Sequence, residues 1–411
     1  MSGCSRMRSP APRRADAGTA VRALRHVTPP LRVYCGADSL QHLAAELDRL
    51  ACRRAVVFCG QTLAHHADGV RLVSAALGDR YAGVFAGVKA HTPLPAVLAG
   101  VEALRTLKAD AVIAVGGGSA VVTARASSIL LAETRDIGEL CTRFPGGKPP
   151  VSPRLARPKL PQFVVATTAT TAYAKAGSAV LDPALGQRLA LFDPKTRAGA
   201  LFIHPVLALT APPALASGAA VQAFCTAVQG IESRSRDPLA DALLMHALRV
   251  LAGNLRNLAD EPDNAETRGQ LMLGALLAGQ GTDYAPTGMT SALAHCVGAR
   301  FHLDNGVTNA VLLPHAMRFN APATAGRLSL VAEALGAPAS ASPEAAVVAA
   351  TCAIQNIFAQ IALPTRLRDI GVPQEALPVL AADAATDWFL HQNPRPVRGT
   401  ADILEVLTAA W

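Results

Sequence analysis

Residues 109–119 read ADAVIAVGGGS: a short apolar run ends in three glycines and a serine and passes into an Ala-rich stretch from Ala120. A run so short and so apolar fits a strand buried on both faces. Parallel strands of that kind require crossover helices between them. Similar runs occupy residues 31–34, 55–59, 81–85 and 162–166, and helical spacing marks residues 39–50 and the stretch from Thr62 toward Leu77. This βαβ rhythm predicts a parallel α/β domain. Gly116, Gly117 and Gly118 allow close backbone approach at the strand's end, and the N–H groups of a following helix, starting near Ser119, favour a phosphate. A tight turn with no ligand has the same composition.

From Ala214 the strand signals stop, and Ala/Leu-rich helical spacing runs to Trp411 with breaks such as residues 336–338. Residues 143–161 are dense in Pro, Gly and Arg and read as loop. The expected organisation is a basic tail over 1–30, an α/β domain over 31–205 and an all-α domain over 206–411. No internal repeat is visible.

An apolar fraction of 51% and a charged fraction of 17% fit a well-buried globular chain and exclude a disordered or coiled-coil one. The net charge of +8 is concentrated early, where Arg6, Arg8, Arg13, Arg14, Arg22 and Arg25 face a single acid, Asp16. The rest of the chain is nearly balanced and only 4% aromatic, so no nucleic-acid surface is expected. The tail lacks periodicity and is expected to be disordered. It has no amphipathic stripe, and no apolar run of signal-peptide type follows it. Eight cysteines without a C-x-x-C pair point to reduced thiols in a cytoplasm rather than disulfides or a zinc knuckle. No unbroken apolar stretch has membrane-spanning length.

Taken with the glycine run, three further segments carry a resemblance: Thr167-Thr168 after QFVVA, the run GMTSALAHCVGARFHLDNGVTNAVLLPHAMRFNAPA over 288–323, and NPRP over 393–396. Together they resemble iron-containing alcohol dehydrogenases over nearly the whole chain after residue 30, and the tail and the phrase around His315 look most like maleylacetate reductases. The resemblance implies a dinucleotide between the domains, cradled by Gly116, Gly117, Gly118, Ser119, Thr167 and Thr168, and a homodimer. Where the family usually has an acid and then a lysine after the serine, this chain has Val122 and Arg125. Where many NAD-preferring relatives place an Asp against the adenosine ribose, it has Gly60. That glycine leaves room for a 2′-phosphate and is equally a simple turn residue, so NADPH and NADH both remain open.

The resemblance also implies a metal. The family holds Fe²⁺ or Zn²⁺ with an Asp and a His one helical turn apart, a His on a later helix and a last His beyond it. Aligned on PPAL at 212–215 and LLPH at 312–315, these positions are Gln222, Thr226, Ser291 and Asn305. Neutral amides and hydroxyls are poor ligands for such cations, so no metal is expected. A slipped alignment would not restore the set, because no His lies between His204 and His246 and no acid between Ala198 and Ile231. The family's active-site His beside the nicotinamide aligns with His295, with Cys225 and Cys296 flanking the same positions. After Thr168 the family's usual pattern gives way to AYAKA, which brings Tyr173 and Lys175 toward the expected nicotinamide end. The expectation is a metal-independent NAD(P)H reductase of a small carboxylated carbonyl or activated alkene. Gln222, Thr226, Ser291 or Asn305 would polarise the substrate, and His295 or Tyr173 would donate the proton. A non-redox lyase or isomerase on this scaffold, and a catalytically silent subunit, are the alternatives.

Overall fold

The structure is a computed structural model that describes residues 24–145 and 150–411. Its first half is built on a fully parallel six-stranded sheet: β1 (Arg32–Cys35), β2 (Ala55–Phe58), β3 (Tyr81–Phe85), β4 (Ala111–Gly116), β5 (Gln162–Ala166) and β8 (Ala198–Ile203), in the order β1-β8-β5-β4-β2-β3. A separate antiparallel hairpin joins β6 (Gly177–Asp182) to β7 (Gln187–Phe192). Side chains alternate across the large sheet as strand geometry requires. Val57, Ile113, Val115, Phe163 and Val165 pack on one face against Leu43, Leu47, Val73 and Leu77. Val56, Phe58, Val112, Ala114 and Val164 pack on the other against Leu104, Val121 and Ala124.

From β2 the chain leaves toward β3 on one side, and from β4 toward β5 on the other, so adjacent β2 and β4 form a topological switch point. In open α/β sheets the crevice for a ligand lies there, beyond the carboxyl ends of the strands. Gly60 follows β2, and Gly116 to Ser119 close β4, so both expected binding segments flank that crevice.

After Pro205–Ala208 the described residues contain no strand. The helices Pro213–Glu232, Pro238–Asp260, Ala265–Gly281, Met289–Phe301, Asn305–Ala334 and Pro343–Gln360 pack around two apolar cores. Pro213–Glu232 is apolar and long enough to cross a membrane by composition, yet its residues from Val221 to Glu232 are almost all buried between neighbouring helices. It crosses Asn305–Ala334 at a glycine pair: a Cβ on Gly306 would stand 1.9 Å from the Gly218 carbonyl oxygen. Pro314 and Pro322 lie inside the latter helix without ending it.

Several expectations need correction. The helix expected over 39–50 begins with a 3₁₀ turn, Ser39–His42, and only Leu43–Arg49 is α-helical. The one expected from Thr62 is split into Gln61–Ala64 and Gly69–Leu77. β6, β7 and β8 were not anticipated, because Val180 and Ile203 are the only β-branched residues in them. The basic tail lies mostly outside the described residues. Its end from Leu24 is described, and there His26 Nδ1 sits 2.7 Å from Asp237 Oδ2 with its ring stacked 4.0 Å from that of Tyr284. That anchor replaces the disorder expected up to residue 30.

The glycine crossing makes a stability prediction. Gly306→Ala should destabilise by about 1–3 kcal/mol or more, since the methyl must displace backbone. Gly253→Ala, in a helix interior with open space around the added Cβ, should stabilise by about 0.5–1 kcal/mol. Urea unfolding of the two variants should show opposite signs, and equal effects would contradict the crossing.

Candidate active site

β4 ends at Gly116, whose φ of +145° is one that a side chain would strain. The carbonyl of Gly116 accepts the Thr167 N–H at 3.2 Å, which ties the β4 turn to the β5 turn. The helix Gly118–Ala132 starts directly afterwards with no side chain capping it, so its first N–H groups face the crevice. A Cβ on Gly117 would come within 2.3 Å of Thr168 Oγ1, and one on Gly118 within 3.1 Å of Thr170 Oγ1. The glycines are therefore required by the two threonine turns themselves, besides leaving space for a phosphate. Gly60 is different: a Cβ there would meet only the Val88 carbonyl oxygen at 3.7 Å.

The loop after Thr168 is clamped from below. Buried Arg125 donates to the carbonyls of Gly177 at 2.6 Å and Ala172 at 2.9 Å. Tyr173 is 1% exposed and donates its hydroxyl to the Thr168 carbonyl. Burial raises its pKa far above the usual phenol range. A phenol so enclosed and committed is a brace for the threonine turn, and the proton-donor role considered for it is withdrawn. Lys175 is likewise spent: its Nζ lies 2.9 Å from Thr282 Oγ1 and 3.3 Å from Asp283 Oδ1, and burial draws its ammonium down to about 8.

The four polar positions lie on three helices of the second half. Gln222 and Thr226 lie one turn apart on Pro213–Glu232, Ser291 opens Met289–Phe301, and Asn305 opens Asn305–Ala334 beside Gly298. Two of the four have no proton to spare. Thr226 Oγ1 donates to the Gln222 carbonyl at 2.8 Å, and Ser291 Oγ donates to Gln229 Oε1 at 3.0 Å. The side-chain amides of Gln222 and Asn305 have no hydrogen-bond partner among the described residues, so the four expected polarising groups reduce to these two. The described residues contain no cluster of three or more His, Cys, Asp or Glu suited to a metal ion.

Gln229 was not anticipated. Its Oε1 also accepts the N–H groups of Gly288 at 3.2 Å and Ser291 at 3.1 Å, while Asn393 Oδ1 accepts that of Met289 at 2.9 Å. Asn393 continues to Asn320 Oδ1 at 2.8 Å, and Thr324 on that helix reaches Glu232 Oε1 at 3.3 Å.

The helix held in this way presents His295, whose Nδ1 lies 3.2 Å from Asp387 Oδ2. The rings of Phe389 and Trp388 flank the imidazole at 5.1 Å and 6.4 Å, each edge-on. Across the cleft stand His91, whose pKa is lowered by burial and then by Arg188, His302 and His295, and Arg188 on β7. Phe144 of the first domain stacks on Trp388 of the second at 5.3 Å. Burial pushes the Cys296 thiol up to about 12, with Asp387 and Asp383 adding to it, and raises fully buried Cys225 further, so neither is a thiolate nucleophile. A cavity of about 300 Å³ lies elsewhere, between the 26–31 segment and Tyr284, and no cradle residue lines it.

This architecture, a switch-point cradle facing a helical domain across a cleft, is that of the iron-containing alcohol dehydrogenases, and the chain belongs to that family. The model described as "Iron-containing alcohol dehydrogenase" matches residues 30–205, and that of the "Fe-containing alcohol dehydrogenase family, C-terminal" matches residues 216–411. The chain is 30% identical to lactaldehyde reductase of Escherichia coli (strain K12) over 384 residues, 92% of this chain and 97% of that one. It is also 30% identical to maleylacetate reductase 2 of Cupriavidus pinatubonensis, over 93% of this chain and 95% of that one. A solved structure of 1,3-propanediol oxidoreductase superposes with a TM-score of 0.85 at 24% identity, covering 93% of this chain and 98% of its own. The chain is thus an oxidoreductase of a family in which NAD(H) binding is typical.

Glu232, at the inner end of the buried polar chain, gives a pH prediction. Burial pushes its carboxyl from 4.5 up to about 8, against the opposing hydrogen bonds of Thr324 and Asn320. A raised acid holds its proton in the folded state, so its stabilisation is full below the unfolded value and is lost as pH rises toward about 8. Glu232→Gln should therefore gain in thermal midpoint over the parent as pH goes from 5 to 8. An advantage that is constant across that range would refute the assignment.

Proposed function

We propose that the chain is an NAD(P)H-dependent reductase of a small carbonyl or activated alkene substrate that works without a bound transition metal and uses His295 as proton donor. The observation that carries the reading is the cradle at the switch point, where the β4 and β5 turns are tied together and an uncapped helix terminus follows them. A nicotinamide cofactor, when bound, supplies the hydride. Gly116, Gly117, Gly118 and Ser119, with Thr167 and Thr168, would hold its pyrophosphate, and Gly60 would border its adenosine ribose.

Metal-independence is supported by donor chemistry. Gln222, Thr226, Ser291 and Asn305 offer neither carboxylate nor imidazole, and do not fit Fe²⁺ or Zn²⁺. The job of polarising the substrate carbonyl then falls to the Gln222 and Asn305 amides, which keep N–H donors free in a water-poor cleft. His295 completes the site by giving a proton to the oxygen or carbon that gains charge. Assembly as a homodimer belongs to the same proposal: β1 is an edge strand with Val33 40% exposed, an edge that another chain can cover.

Calorimetric titration with NADPH and NADH, with metal analysis on the same sample, tests the reading. Dinucleotide binding and far less than one Fe or Zn per chain are expected; no binding of either nucleotide, or nearly one metal per chain, would sink it. Gly60→Asp fits sterically, and its carboxylate should weaken NADPH relative to NADH by about tenfold or more. His295→Ala should lower kcat by about 10²- to 10⁴-fold with cofactor affinity unchanged. Full activity in His295→Ala would remove it from the proton path.

A further inference from the structure

We infer that Asp387 is the positioning residue for His295: its carboxylate takes the Nδ1 proton of the imidazole, fixes the ring and leaves Nε2 turned to the cleft. The inference rests on the reading of His295 as proton donor. Three independent constraints meet here. Asp387 Oδ2 is 3.2 Å from Nδ1, with the two side chains only 10% and 20% exposed. The other carboxylate oxygen is itself immobilised, accepting the Phe389 N–H at 2.9 Å. Trp388 and Phe389, the next two residues, wall the ring edge-on. A carboxylate held on its own turn and hydrogen-bonded to one imidazole nitrogen sets the tautomer, and the other nitrogen is thereby assigned to substrate.

The surrounding charges do not duplicate this role. On the helix of His295, Cys296 is a protonated thiol and Arg300 pairs with Asp383 at 3.3 Å. Asp304 caps its own helix by accepting from Gly306 and Val307. Arg188, His91 and His302 face the cleft as cations or neutral rings, and none is a carboxylate. Among the described residues, Asp387 is the acid within hydrogen-bond reach of the ring.

In the step this serves, the imidazolium gives its Nε2 proton to the substrate atom that becomes negative as hydride reaches its carbon. The Nε2–H bond breaks and an O–H or C–H bond forms. The Nδ1–H stays on the ring, donating to Asp387, and solvent returns the proton to Nε2.

Asp387→Asn tests the inference, because Asn Oδ1 can still accept the Phe389 N–H and preserve the turn, while its amide N–H groups face Nδ1 and force it to accept. Histidine-selective ¹⁵N NMR, with the His295 signals identified by their loss in His295→Ala, should show an Nδ1–H neutral tautomer in the parent and Nε2–H in the variant. Turnover should drop about tenfold or more, and Asp387→Glu should recover part of the loss. Cofactor affinity and thermal midpoint should stay near the parent's. An unchanged tautomer overturns the positioning role whatever the activity. A flipped tautomer with undiminished turnover overturns the proton-donor reading, and the positioning role with it.

Discussion

The amino-terminus of the helix Met289–Phe301 hangs on two side-chain oxygens, Gln229 Oε1 and Asn393 Oδ1. A helix start leaves several backbone N–H groups without partners, and a buried one must find acceptors elsewhere. Here the N-cap is Gly288, which has no side chain to cap the helix. The acceptors come from another helix and from the chain's last irregular segment, each buried and each able to serve because its amide is uncharged. Ser291, His295 and Cys296 all ride on that helix, so their placement against the cradle is inherited from this anchor. Gly288 is packed against Asn393 so closely that a Cβ would fall 2.5 Å from Asn393 Oδ1, which leaves the anchor no slack.

The same economy of donors decides what the cleft can do. Hydroxyls near a helix backbone tend to give their proton to the carbonyl one turn back. Thr226 does so, and Ser291 is drawn to Gln229. What remains free is amide chemistry, from Gln222 and Asn305. Around the loop that follows Thr168, Tyr173, Lys175 and Arg125 are consumed in the same way by carbonyls and by Asp283, so an apparently polar loop presents almost nothing reactive. Polar residues near a site are not the same as polar groups available to it.

This distinction is where sequence reading stopped. Four-residue strands flanked by helices, the glycine run at the end of β4 and the loss of strand signals after Ala214 were all legible, because each is a local pattern of period or composition. The aligned positions put Ser119, Thr167 and Thr168 just past the ends of β4 and β5. Hydrogen-bond partnership is not local. Gln229 meets Ser291 across 62 residues, and Asp387 meets His295 across 92, with no motif linking them. The tail signature NPRP pointed to the family, but gave no sign that its Asn393 caps a helix more than a hundred residues earlier. Tyr173 and Lys175 misled because side-chain chemistry was visible in the sequence and burial was not.

One short turn carries more of the site than its length suggests. Asp387 holds His295, and the next residue, Trp388, stacks on Phe144 of the opposite domain with the rings only 10° from parallel. A shift of the first domain that breaks the stack would pull directly on the residue beside the His295 contact. Conversely, seating the ring pair fixes the segment Trp388–Gln392 that positions the carboxylate. The aromatic pair gains from excluding water and from face-to-face contact of two large rings. Domain approach and imidazole orientation are thus two aspects of one packing arrangement, built on adjacent residues.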